Sequence, residues 1–289
     1  MNEERKGEAA ILSQTVLWGF FPVIATLSFL SLNPVVSLAL TTALSTIFFG
    51  FMMTYRGLWK ELGNWKVWVE LFYIAFFIGV VYYGFYYLGL KYTTPGNASL
   101  LALSETLFSY LYFTLWHKEN FSGKHVVGSL LMLLGAALVL FPHATGFNKG
   151  DLLIFLSTLF PPIGNYFQQK IRKKVHSETL MFGRSLLSLP FLVVFSLVLA
   201  RDTSWSSIRA SAWFLVLNGV VFFGVAKILW LEGIHRISVT KANALSAVGP
   251  LFTLIFAFII LKQTPTIWQL AAFIPFSAGL FLLTKNPNR

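Results

Sequence analysis

Hydrophobic residues along this chain fall into long, nearly uninterrupted runs, and short polar links separate one run from the next. A helix needs about 20 apolar residues to cross the hydrocarbon core of a membrane. Only helices and closed barrels satisfy their backbone in lipid, and these runs are too long and uniform for barrel strands. The pattern therefore predicts an all-α, polytopic membrane protein with ten transmembrane helices. The predicted spans cover residues 10–30, 35–55, 67–90, 97–116, 125–141, 152–169, 180–200, 212–231, 242–261 and 267–284.

The spacing of runs and links repeats once along the chain. Residues from 88 onward align without a gap with residues from 232 onward, and the links, glycines and run lengths coincide. Such self-similarity indicates a duplication. We therefore predict two five-helix repeats, residues 1–142 and 143–289. The aligned identities are Gly89/Gly233, Ala98/Ala242, Leu101/Leu245, Leu107/Leu251, Phe108/Phe252, Lys118/Lys262, Gly135/Gly279 and Leu138/Leu282.

The basic residues predict how the repeats are oriented. Of the 22 Lys and Arg residues, fifteen fall in the links on the side of the N-terminus, five fall on the other side, and two lie within spans. Cytoplasmic links carry the excess of Lys and Arg, so we predict that both termini are cytoplasmic. Because each repeat has an odd number of spans, the repeats have opposite topology, which is typical of secondary transporters. The five residues on the other side are Lys91, Lys149, Arg201, Arg209 and Lys262.

Composition removes several classes of protein. The chain is 56% hydrophobic and 11% charged, whereas a soluble domain has about 25% charged residues. Its net charge of +11 sits in the links, so we expect no nucleic-acid partner. The sequence has no cysteine, and we find no metal-ligand cluster, phosphate-binding glycine loop or Ser/His/Asp set. We therefore expect no cofactor, no metal and no enzyme.

Glu105 is the leading candidate for a functional residue, because it lies near the middle of the fourth span. A charge there costs about 2.5–3.5 kcal/mol on insertion scales, and such residues face a bundle interior or a wet cavity. Three roles stay open: binding a substrate ammonium, carrying a coupled proton, or donating a structural hydrogen bond. The aligned position in the second repeat is Gly249, and Pro250 follows it. A kink there could expose a carbonyl to a substrate or serve packing alone.

Other polar and aromatic positions in the spans have two readings each. Tyr82 and Tyr86 share a face of the third span, either in an interfacial aromatic belt or lining a substrate cavity. In the sixth span, Asn165 and Gln169 share a face, with Tyr166 beside them, and both amides need partners inside the bundle.

In the ninth span, Asn243 and Ser246 lie one turn apart, either hydrogen-bonding between helices or facing a substrate path. We expect Arg184 and Lys227, both within spans, to extend to the headgroups. In the link after the second span, residues 56–66 predict a short interfacial helix with Trp59 and Trp65 at headgroup level, or else a plain loop.

The order of these features resembles the drug/metabolite transporter superfamily, in its ten-helix branch of two EamA domains. In the first half the resemblance rests on Trp18-Gly19 with Pro22, on the run 88–99 and on 128–135. In the second half it rests on Lys241-Ala242, on the run 249–252 and on Gly279. Two positions depart from the family: Thr106 stands where a proline often follows, and Thr41 and Thr42 stand where the second span often has an arginine.

The resemblance implies an exporter of small metabolites such as amino acids or amines, acting by alternating access across the cytoplasmic (inner) membrane. It adds Trp18 to the candidate substrate-binding residues. The partners we expect are a small-molecule substrate and the lipid bilayer, with the choice between monomer and homodimer open. Proton coupling and facilitated diffusion fit equally well. The alternative is a non-transporting accessory or binding protein of lipid or envelope metabolism.

Overall fold

A computed structural model describes residues 3–117, 123–140, 148–200, 203–237 and 239–284. This described part is helical and contains no strand, as the apolar runs predict. Six of its helices are long and apolar enough to cross a membrane unaided. They correspond to the predicted spans one, two, three, five, seven and eight. Their bounds are Glu3–Ser28, Pro34–Arg56, Trp65–Leu90, Gly123–Leu140, Ser177–Leu199 and Trp205–Arg236.

Three of the remaining spans are each made of two helices in tandem, and the tenth is the single helix Ile267–Thr284. Two interruptions come directly before prolines, since Pro161 and Pro250 occupy first-turn positions. Proline fits the first turn of a helix but breaks its interior. The third interruption, at Leu103, has no such residue, and nothing in the structure explains it. The tandem helices are Pro95–Ala102 and Ser104–His117, Lys149–Ser157 and Pro161–Ile171, and Val239–Ser246 and Gly249–Leu261.

Two long spans contain a widened segment of π-helix that the sequence pattern does not predict. These segments are Ala75–Tyr82 in span three and Leu217–Val225 in span eight. Adding the repeat offset, 232 − 88 = 144, to 75–82 gives 219–226, which overlaps the second segment at residues 219–225, so the two segments lie at equivalent places in the repeats. π-helical turns are rare and frequently lie at functional sites. The prolines at 22, 190 and 275 lie inside continuous helices instead.

The spans pack mainly across the two halves of the chain. Span five packs along span ten, and span two packs along span seven; span one contacts spans eight and nine, and span three contacts spans six and seven. Spans two and eight, spans four and six, and spans four and nine are also in contact. Exchanging each span with its counterpart five positions on leaves this set of contacts unchanged. The halves are therefore related by a pseudo-twofold axis, with the pairs five–ten, two–seven and four–nine on it.

One pair of close crossings shows this symmetry at residue level. Where spans three and six cross, a Cβ added to Gly89 would lie 2.8 Å from the carbonyl oxygen of Gly150. Where spans one and eight cross, a Cβ added to Gly233 would lie 3.4 Å from the carbonyl oxygen of Gly7. Gly89 and Gly233 are an aligned pair, so the same residue allows the same close approach in both halves.

The link between spans two and three forms the short 3₁₀-helix Leu58–Gly63. The indole nitrogen of Trp68 donates to the carbonyl of Leu62 at 2.8 Å and fixes its end. Trp59 and Trp65 are both exposed, at 46% and 76%. Of the two predictions for this link, a short helix and a plain loop, the structure agrees with the short helix. Both indoles are exposed and can lie in the headgroup layer.

Candidate functional site

Glu105 is the second residue of the helix that follows the interruption at Leu103. Its carboxylate accepts a hydrogen bond of 3.0 Å from the side-chain amide of Asn165 in span six. The amide of Gln168 in turn donates to the Asn165 oxygen at 2.7 Å. Asn165 therefore finds its partners in the bundle as expected, but Gln169 is exposed and the prediction of a buried partner for it is wrong.

Lys227 in span eight lies within electrostatic range of Arg184, which repels it, and of Glu105, which attracts it. Its ammonium group is 3.9 Å from the centre of the Trp18 ring in span one. A cation over the face of a tryptophan is attracted by the ring quadrupole. The expectation that Lys227 extends to the headgroups is wrong, because its ammonium group packs on the Trp18 ring inside the bundle.

The tyrosines of span three are interior residues. Tyr82, Tyr83 and Tyr86 are between 3% and 8% exposed, so the interfacial-belt reading of this cluster does not hold. Tyr82 and Tyr86 have ring centres 5.8 Å apart. Phe21 lies between Tyr86, at 5.8 Å, and Trp18, at 4.9 Å, so spans one and three share one aromatic cluster.

Arg184 is buried in span seven, with 4% of its surface exposed, so it does not extend to the headgroups as predicted. It lines an interior cavity of about 10 Å³. That volume is enough for about one water molecule. Residues of both halves line the cavity, namely Thr42, Gly79, Tyr83, Arg184, Ser185, Ser188 and Phe223.

The candidates of span nine lie on its contact with span one. The Thr15 hydroxyl donates to the Ser246 hydroxyl at 3.3 Å. Pro250 is buried at the start of the second helix of this span. Asn243 lies outside the described side chains. In span six, Tyr166 is partly buried beside Phe167, with 5.4 Å between the ring centres.

Ion pairs join the halves at the end of the bundle that carries the N-terminus. Arg56 pairs with Glu178, and Lys174 lies 2.8 Å from Glu70. The carboxylate of Glu61 accepts from the backbone amide of His176 at 3.0 Å and also contacts its ring. Further pairs at this end link the first helix to residues after span eight, namely Glu3–Arg236, Glu4–Lys241 and Glu8–Lys241.

Neutral hydrogen bonds and one buried carboxylate join the halves at the opposite end. Asp151, 2% exposed, accepts from the Thr93 hydroxyl and, at 3.0 Å, from the Asn97 amide. Gln269 donates to Asn97 at 2.7 Å and to Thr94 at 3.1 Å. Sequence reasoning missed this cluster, because Asp151 lies at a predicted link, where a carboxylate is ordinary.

Comparison with known proteins follows the same division into halves. The EamA-like transporter family matches residues 5–141 and again residues 148–285. A protein called an uncharacterized transporter, from Archaeoglobus fulgidus, is 26% identical over 252 residues, which is 85% of each chain. The uncharacterized transporter YyaM of Bacillus subtilis is 24% identical over 60% of this chain and 59% of its own length.

More distant proteins share part of the sequence or only the fold. Solute carrier family 35 member G1 of Mus musculus is 29% identical over 46% of this chain and 35% of its own. A solved crystal structure superposes with a TM-score of 0.67 at 21% identity and covers 96% of this chain and 95% of that chain, a likeness of fold alone. Because the family match spans both halves, the chain is a membrane transporter that belongs to the EamA-like transporter family.

Proposed function

We propose that the protein is a secondary transporter that exports small metabolites, such as amino acids or amines, across the cytoplasmic membrane by alternating access, with both termini cytoplasmic. The observation that carries this proposal is the pseudo-twofold packing of two inverted halves around a cluster of charged and aromatic side chains. Glu105 and Trp18 come from the first half, and Lys227 comes from the second. Substrate sites of inverted-repeat transporters lie where the halves meet.

The contacts at the two ends of the bundle support alternating access. Ion pairs close the end with the termini, and the Asp151 cluster closes the other. Either set can break without the other, so that the interior opens to one side at a time. Proline interruptions in spans six and nine, at Pro161 and Pro250, give each half a point where a span can bend.

The small size of the cavity at Arg184 also bears on the alternative, a non-transporting accessory protein. A cavity of about 10 Å³ is far smaller than a metabolite. Transport therefore requires the halves to separate, whereas an accessory protein needs no such movement. The side chains of Asn218 and Ser45 are buried and have no hydrogen-bond partner among the described residues. Their unmet hydrogen bonds favour separation of the two halves. Such groups cost about 1–3 kcal/mol each, a cost that solvent entering between the halves would remove.

The test is uptake of a pooled, labelled set of metabolites into proteoliposomes, with and without a pH gradient. We expect accumulation of at least one amino acid or amine, driven by the gradient if a proton is coupled and equilibrating if not. Empty liposomes and liposomes with denatured protein serve as controls. Absence of flux for every member, with folded protein in the bilayer, would favour the accessory protein.

A further inference from the structure

Arg184 is a buried cation without an acidic partner in the described part of the chain. Its guanidinium makes neither an ion pair nor a hydrogen bond with a described residue. Glu105 accepts from Asn165 and attracts Lys227 instead. Arginine stays charged at any physiological pH, and burial of an unpaired charge is strongly unfavourable. This position is therefore costly unless an anion binds there at some stage of the protein's work.

The place of Arg184 suits a transported anion. Spans two and seven pack together on the pseudo-twofold axis, and both line the cavity at Arg184. The two π-helical segments border the same cavity through Gly79 and Phe223. A group at this point lies between the halves and is reachable from either side when they separate.

The lining of the cavity complements an oxyanion on an apolar body. Thr42, Ser185 and Tyr83 carry hydroxyl groups and line the cavity together with Arg184. Ser188 also lines the cavity, but its hydroxyl already donates within the protein, to the Arg184 carbonyl at 2.7 Å. Guanidinium forms paired, charge-assisted hydrogen bonds to carboxylate and phosphate. The Tyr83 and Phe223 rings, with centres 4.6 Å apart, supply an apolar wall.

We propose that Arg184 binds an anionic group, a carboxylate or phosphate, on the transported solute, and that simple amines are not substrates. This inference rests on the proposed function and narrows its solute class. Lys227 and Glu105 then act on the rest of the solute, where Glu105 is available to an ammonium group. The anion enters when the halves separate, because the cavity of about 10 Å³ holds only about one water molecule.

The experiment measures ligand-induced thermal stabilisation of the full-length protein in detergent, which needs no flux. The probes share one ring and differ in the charged group: 3-phenylpropionate, phenyl phosphate, phenylalanine and phenethylamine, each at millimolar concentration. We expect at least one of the first three to raise the melting temperature, and phenethylamine to leave it unchanged. The carboxylate and phosphate probes distinguish the two kinds of oxyanion.

Three variants test the residue. Arg184→Met should weaken anion binding about tenfold or more, as expected for loss of a charge-assisted hydrogen bond. Arg184→Lys should keep part of the binding, since it keeps the charge. Arg209→Gln removes a basic group from an exposed position outside the cavity and is the matched control. Without ligand, Arg184→Met should melt at or above the wild-type temperature, because it removes an unpaired buried charge.

Three results would overturn the inference. They are undiminished anion binding by Arg184→Met, stabilisation of the wild type by none of the anionic probes, and a lower ligand-free melting temperature in Arg184→Met. The last would assign Arg184 a structural role. Anion binding without any flux would leave this inference standing and count against the proposed function. Transport of amines alone would support the proposed function and contradict this inference.

Discussion

Three charged side chains within the described spans have three different environments. Glu105 is hydrogen-bonded to a neutral amide, Lys227 lies over an indole ring, and Arg184 faces a small cavity. A charged side chain costs about 2.5–3.5 kcal/mol to insert at the centre of a span, where Glu105 lies, and less toward the span ends, where Arg184 and Lys227 lie. No two of them form a close ion pair in the described structure, so their mutual attraction recovers little of that cost. This is the pattern expected of residues kept for a ligand rather than for stability.

Replacement of Glu105 by glutamine is expected to reduce transport while the protein stays folded. Glutamine keeps the side-chain shape and an oxygen that accepts from Asn165, but it loses the charge that attracts Lys227. We expect initial flux in proteoliposomes to fall about tenfold, the effect of losing one charge-assisted contact. The melting temperature in detergent should stay at the wild-type value or rise.

The pH profile of the same variant separates the roles of this carboxylate. A coupled proton predicts that Glu105→Gln loses the pH dependence of flux, whereas ammonium binding predicts weaker solute binding with the dependence kept. Glu232→Gln, at an exposed site in span eight, is the matched control. Wild-type flux at every pH in Glu105→Gln would remove Glu105 from the mechanism.

Sequence reasoning could find Glu105 because a carboxylate within an apolar run stands out whatever surrounds it. It could not find that Asn165 and Lys227 surround it, because the spacing along one helix does not say which helices pack together. The same limit explains the error over Arg184 and Lys227. Both lie near span ends, where a basic residue usually reaches the headgroups, and only tertiary packing turns them inward.

At the scale of the helices, composition predicts length and number but not internal geometry. Each of the ten apolar runs corresponds to one helical span in the structure. The position of Pro250 in the sequence also predicts the interruption in span nine. The π-helical segments in spans three and eight could not be predicted, because an α-helical and a π-helical turn can have the same residues. Packing against the neighbouring spans decides between them, and that information is absent from a one-dimensional pattern.

Two glycines in one helix of span three should respond oppositely to alanine. Gly89→Ala places a methyl group 2.8 Å from the Gly150 carbonyl oxygen, which forces spans three and six apart. We expect a loss of about 1–3 kcal/mol of stability, as for other overpacked sites. Gly84, in the same helix, has no atom within 4 Å of an added Cβ.

Gly84→Ala is therefore the control. Its free energy of unfolding should be unchanged or higher by up to about 1 kcal/mol, because alanine loses less backbone entropy on folding than glycine does. Thermal unfolding in a mild detergent measures both variants. Equal melting temperatures for the two would mean that the crossing of spans three and six adapts freely, contrary to the backbone contact described above.

At the scale of the whole molecule, the two ends are held by different chemistry. The end with the termini uses charged pairs, which salt and pH weaken. The other end uses mainly neutral hydrogen bonds around Asp151, which salt affects less. Raising the ionic strength should therefore favour opening at the charged end.

Glu61 gives this end a measurable pH dependence. Partial burial raises the pKa of its carboxyl, but hydrogen bonds from Thr179 and His176 outweigh that effect and hold the pKa below its usual 4.5. A carboxyl group with a lowered pKa stabilises the fold above about pH 4.5, and that contribution is lost as the pH falls through the lowered value. Glu61→Gln should therefore have a lower melting temperature than the wild type at pH 7. The loss in free energy of unfolding should be less than about 1 kcal/mol, because this end of the bundle is exposed.

The difference between wild type and Glu61→Gln should disappear as the pH falls below 4.5. Melting curves of both proteins from neutral to acidic pH provide the measurement, with detergent and salt fixed. Glu232→Gln is the control here too, since Glu232 pairs with Arg236 of its own helix. If the difference in melting temperature between the two proteins stays the same at acidic pH, Glu61 stabilises the fold through its packing and not through its charge.

The pseudo-twofold axis limits where a charged side chain can occur once rather than twice. In a homodimer of a single five-helix chain, every substitution appears twice about the axis, so the centre would hold two carboxylates or none. In one chain with two repeats, each repeat can differ, and here Glu105 aligns with Gly249. A chain with two repeats can therefore carry a mid-span carboxylate in one repeat only, and with it bind an asymmetric solute that has distinct ends.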